Sequence, residues 1–166
     1  MTSMSPRVTR LGVAAARGAA AGLGGAAAMT ATEWVEQAIT GRASSFVPGR
    51  ALLTLAGRHP SEEDTPVAWN HAMQWGTAVL LGGLRGVWSV TGIRGPSASA
   101  AHTAVRLAFD QTMENATGVG APPTIWPRFE RRVDSVHKAV YSFVTGLLAD
   151  RWIPPSLLSR RGSVSH

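Results

Sequence analysis

Residues 11–31 read LGVAAARGAAAGLGGAAAMTA. Across that stretch the one charge is Arg17, and few side chains exceed a methyl group. Small residues recur four apart, Gly18 with Gly22 and Ala21 with Gly25, and on a helix that spacing makes a flat strip. A second backbone can approach such a strip closely, which is how helices associate in lipid, where no hydrophobic force drives them together. The stretch therefore predicts a helix that packs in a bilayer through Gly18, Gly22 and Gly25. Gly82 and Gly86 supply a second strip of the same kind further along the chain.

Composition supports the same direction. Charged residues make up 16% of the 166 residues, well below the usual quarter, so polar surface is scarce. Six Trp against one Tyr suit a chain with water–lipid boundaries to anchor. The absence of cysteine removes disulfides, thiolate nucleophiles and Cys-ligated metals. The net charge of +6 comes almost wholly from arginines, scattered singly except for Arg131-Arg132 and Arg160-Arg161, with no basic stripe interleaved by aromatics, so nucleic acid is not an expected partner. Arginine near lipid headgroups accounts for the charge more simply.

Four helical stretches alternate with loops rich in Pro and Gly, at about 10–39, 67–90, 97–117 and 132–152. A short helix is expected near Ala51, and Ser97 is the expected N-cap of the third long helix. Glu62, Glu63 and Asp64 fall where an acidic cap would favour the start of the second. No strand alternation and no fixed repeat is present. The short connections predict antiparallel neighbours. The expected architecture is all-α: an up-down four-helix bundle over 1–155, membrane-embedded, with a polar and disordered tail at 156–166.

Energetics make the spans marginal one at a time. Seven Leu or Val residues in the second helix contribute roughly −3 kcal/mol toward insertion, offset by Arg85. The third helix fails alone because Arg106 and Asp110 outweigh Val105, Leu107 and Phe109. His102, Arg106, Asp110 and Glu114 follow one another at steps of four and form a stripe. That stripe reads as the water-facing side of an amphipathic helix, as a polar seam inside a bundle, or as no more than the pairing of Arg106 with Asp110 one turn apart.

The chain resembles the YagU-like group of bacterial inner-membrane proteins. The likeness is carried by the Gly/Ala opening helix ending at Glu33, and by Trp69-Asn70-His71 followed by Trp75-Gly76. It continues in the run from Gly118 to Pro123 with Trp126-Pro127 and Glu130, and in His137 with Tyr141. The resemblance covers about 14–152 and implies a multi-span membrane protein, with no reaction attached.

In an up-down bundle, the end of the first helix, the start of the second, the end of the third and the start of the fourth meet on one side. Glu33, Glu36, His71, Asp110, Glu114, Asp134 and His137 lie at those ends. Carboxylates and imidazoles from four helices are the donor set of a divalent metal site, and Asp134 with His137 matches half of the usual bundle pattern. The same groups suit proton transfer, since imidazole titrates near neutrality. Wet helix ends rich in polar residues are the plain alternative. No P-loop, nucleophile elbow, zinc-protease helix or dinucleotide fingerprint occurs, so catalysis is not the leading expectation and a divalent ion is the only cofactor the pattern suggests. The leading reading is a small polytopic membrane protein, partnered by the bilayer and by further copies through its Gly/Ala faces. A metal- or proton-handling bundle comes second, and a soluble or surface-bound binding module third.

Overall fold

A computed structural model describes residues 5–158 and contains five helices, with no strand among the described residues. They are α1 (Pro6–Thr40), α2 (Val47–Leu55), α3 (Val67–Thr91), α4 (Gly95–Thr117) and α5 (Arg128–Trp152). The all-α expectation holds. The four long helices are joined by the fifth, α2, which the Gly/Pro-rich segment after Gly41 folds into. Gly41, Gly92 and Gly118 end α1, α3 and α4 in the left-handed conformation, with φ of 71°, 96° and 68°, which glycine adopts without strain.

Two helix starts differ from the sequence reading. Ser97 does not cap α4; Arg94 holds the extended N-cap position and the helix opens on Gly95-Pro96, because proline fits a first turn whose N–H groups are unpaired anyway. The first turn of α3 carries no acid. Asp64 instead closes its own turn, its carboxylate accepting from the Ser61 amide at 2.7 Å.

Helix α1 lies between α3 and α5, α4 closes against α5, and α2 rests on α3 and α4. The α1–α3 contact is the closest in the molecule. A Cβ on Gly18, Gly22, Gly82 or Gly86 would fall within 3.0 Å of backbone on the opposite helix. Gly25 meets α5, where a Cβ would collide with the Thr145 hydroxyl and the Tyr141 carbonyl. All five glycines are therefore consumed within one chain. Those five positions are not free for contacts between copies.

The interior is unusual. Its apolar clusters consist mainly of Ala, with Met29, Tyr141, Val90 and Ile153. Its largest fully buried side chains are Arg85, Tyr141, His102, Thr145, Ser89 and Ser142. Large apolar groups point outward, with Leu147 70% and Leu80 60% exposed. The α4 stripe faces inward: His102, Arg106 and Glu114 are buried, so the water-facing reading of that helix fails.

No described helix is long and apolar enough to cross a membrane. That departs from the expectation of a membrane-embedded bundle, whose spans are marginal one at a time and whose third helix fails alone. The cause lies in composition, because Ala and Gly add little hydropathy while Arg85, Arg106 and Lys138 subtract from it. The first residues of the expected tail meet the bundle. The Leu157 amide donates to the Val90 carbonyl at 3.0 Å, and Leu158 packs over Gly92. The remainder of that expected tail, 159–166, lies outside the described residues.

Candidate functional site

Two charged clusters occupy opposite ends of the bundle. At the α3–α4 turn, Asp150 of α5 gathers four groups. The buried Arg85 Nη2 donates to its Oδ2 at 2.9 Å, the Ser89 hydroxyl to its Oδ1 at 2.8 Å and the Gly95 amide to its Oδ2 at 2.9 Å. Arg94 approaches its Oδ1 to 4.0 Å and also donates to the Asp150 and Ile153 carbonyls. This cluster ties the end of α5 to the turn and satisfies the last carbonyls of the helix. In the sequence Asp150 is only a carboxylate near the end of the last helical stretch. Its partner Arg85 lies far away in sequence, and no local pattern could have paired them.

His102 sits between the clusters, fully buried. Its Nε2 lies 3.1 Å from the Leu81 carbonyl, and its ring packs edge-on against Trp88 at 5.9 Å. These large groups fill the space between α3 and α4, whose backbones approach less closely than those of α1 and α3. The Leu81 carbonyl satisfies Nε2 of His102, while Nδ1 has no partner among the described residues.

At the other end lies a cavity of about 450 Å³. Its walls come from the four long helices, and the segments after α1 and α4 cover it through Ser45, Pro48, Gly120 and Trp126. Glu33, His71, Asp110, Glu114, Asp134 and His137 all line it. Glu36 does not. It faces the loop, where Arg42 donates to its carboxylate at 2.9 Å and Thr40 at 2.7 Å.

The six residues converge on one cavity without packing against one another as a cluster. Among the described residues no three His, Asp or Glu side chains come close enough to hold an ion. Cations already occupy two of the carboxylates, Asp110 and Asp134. Asp110 accepts from Arg106 at 2.9 Å and pairs with Lys138 at 3.4 Å, while Lys138 pairs with Asp134 at 2.7 Å. The Arg106 guanidinium also lies 4.9 Å from the Tyr141 ring, a cation–π distance. The sequence shows Arg106/Asp110 and Asp134/Lys138 as pairs four apart, so these two local bridges could be read from spacing. The cross-helix reach of Lys138 to Asp110 could not.

Outside the bundle, hydrogen bonds from Arg42 and then Thr40 hold the Glu36 carboxyl below the usual carboxylate range. The Glu36 anion therefore keeps its tie to Arg42 above that range and loses it only as pH falls through the depressed value. Titrating Glu36 by carboxyl carbon NMR should give a midpoint below that of an exposed glutamate, and Arg42→Gln should move it upward. An unmoved midpoint in the variant would remove Arg42 as the cause.

Compared with known proteins, the chain matches no family model, no curated protein and no solved structure.

Proposed function

We propose that this protein is a bilayer-embedded helical bundle that turns its charges inward, with the end cavity as its working site. The observation that carries this reading is a belt free of exposed charge. Over residues 18–32, 72–91, 95–109 and 135–149 the only Asp, Glu, Lys or Arg residues are Arg85, Arg106 and Lys138, and all three are buried. At about 1.5 Å per residue the belt is roughly 20–30 Å tall, close to the hydrocarbon thickness of a bilayer. Exposed charges resume at its edges, with Arg10, Arg17 and Arg151 on one side and Arg58, Arg128, Arg131 and Arg132 on the other. Arg17, at the rim, reaches along the bundle to donate to the Trp152 carbonyl at 3.2 Å.

Mean hydropathy averages around a helix and misses this arrangement. The three buried charges count against their helices although lipid would never meet them. Polar groups inside a membrane bundle face its interior and pair there, as Arg85 with Asp150 and Arg106 with Asp110 do here. An interior built from Ala, Gly, Ser and Thr lets backbones approach closely, which favours association where apolar side chains gain nothing over lipid. The resemblance to the YagU-like proteins points the same way.

Cysteines placed at Ser45, Ser97, Thr124 and Ser156, all exposed, test the proposal because the chain has none of its own. In sealed vesicles an impermeant thiol reagent should label one end, either Ser45 and Thr124 or Ser97 and Ser156. The other end should react only after permeabilisation. A bundle free in water labels equally at all four, and that result would overturn the bilayer placement.

A further inference from the structure

The end cavity holds carboxyl groups that the protein itself does not pair. Arg106 and Lys138 are matched by Asp110 and Asp134, and Arg42, also in the wall, by Glu36 and Glu130. Glu114 is left over. It is 8% exposed, lines the cavity, and its carboxylate makes no hydrogen bond or ion pair with any described residue. Gly120 lies directly over that carboxylate, where a Cβ would stand 2.8 Å from Oε2, so the lid leaves it room. Glu33, also in the wall, receives only the Gln74 amide at 3.3 Å and has no cation partner among the described residues. Burial pushes the Glu114 carboxyl up to about 7, because nothing beside it stabilises the anion enough, and a cation in the cavity would hold it ionised.

We infer that the cavity binds a small organic ammonium group, held by Glu114 and Glu33. The spare charges are negative, which disfavours an anion. A bare metal ion needs a fuller oxygen shell than two carboxylates supply, and calcium-like ions take six or more oxygens. The remaining wall favours an organic cation. Trp34 and Trp126 offer aromatic faces, and Met29, Met73 and Met113 offer polarizable, adaptable surface. Arg106 Nη1, buried and unpartnered, adds a donor for water or for a hydroxyl on the ligand. About 450 Å³ is the size of a small-molecule pocket. The ammonium group belongs either to a free amine or to a phospholipid headgroup. The inference does not depend on the bilayer placement, because the cavity exists in the fold whether or not lipid surrounds it.

Ethanolamine and choline are the probes, titrated into the full-length protein in a neutral detergent and followed by calorimetry. Saturable binding of either, with no binding of acetate or phosphate, is expected for a free amine. Retention of phosphatidylethanolamine over phosphatidylglycerol through purification, measured by lipid extraction, is expected for a headgroup. In both arms Glu114→Gln, which keeps shape and removes charge, should weaken binding at least tenfold. Glu33→Gln should weaken it less and serves as the second variant if the first fails to fold. Absence of both saturable binding and selective lipid retention would overturn the inference. So would binding that survives both variants, or a preference for the anions.

Discussion

Asp150→Ala is expected to destabilise the bundle by about 3–5 kcal/mol, the range for a buried ion pair that loses one partner. Arg85 is fully buried and keeps its charge whatever its surroundings. Its Nη2 bonds to Asp150, its Nη1 bonds to Ser89 at 2.6 Å, and its Nε has no partner at all. Removing the carboxylate leaves a guanidinium in a medium of low dielectric with only the Ser89 hydroxyl and a long contact to the Ile93 carbonyl beside it. The Gly95 amide and Ser89 hydroxyl lose an acceptor in the same step. Thermal melting of the full chain in detergent, followed by circular dichroism, checks this. Asp150→Asn should recover part of the loss, since the amide oxygen still accepts one bond. A double variant, Arg85→Met with Asp150→Ala, should recover more, because an apolar side chain of similar length fills the site without a charge to bury. If Asp150→Ala melts with the unaltered chain, the guanidinium is not closed off as described.

How much of this could be read from the sequence depends on the range of each interaction. The helices were legible because Gly41, Gly92 and Gly118 punctuate them and small-residue spacing runs between. The strips at Gly18/Gly22 and Gly82/Gly86 could be seen as packing surfaces. That they pack on each other, rather than on another copy, needed three dimensions. The meeting of Glu33, His71, Asp110, Glu114, Asp134 and His137 followed from topology alone, since antiparallel helices bring those ends together. Their chemistry did not follow, because it turns on Lys138 and Arg106 reaching the carboxylates across and along helices. The α4 stripe was ambiguous for a physical reason. A row of His, Arg, Asp and Glu at steps of four has the same pattern whether water or a polar core lies opposite. Burial of Arg85 and Tyr141 on α3 and α5 supplies what lies opposite, and neither residue belongs to that row.

Gly82→Leu is expected to disrupt the fold as severely as the loss of Asp150, and for an unrelated cause. A Cβ at Gly82 would meet the Gly18 carbonyl oxygen at 2.6 Å and the Gly22 Cα at 2.7 Å. Both are backbone atoms of a regular helix and cannot rotate away. Overpacking a well-filled core by a few atoms costs about 1–3 kcal/mol when side chains can adjust. Here α1 must move bodily, and its movement opens the contacts of Ala14, Gly18, Ala21 and Gly22 together. A loss above that range follows, read as a large fall in melting temperature or as failure to recover folded protein. Gly76→Ala is the matched control on the same helix, since a Cβ there meets nothing within 4 Å. That change should be neutral or stabilise by about 0.5–1 kcal/mol, because alanine is the better helix former. Equal melting of Gly82→Leu and Gly76→Ala would mean that α1 and α3 do not meet through glycine backbones. The bilayer reading would then lose the close helix contact that stands in for the hydrophobic force it cannot use.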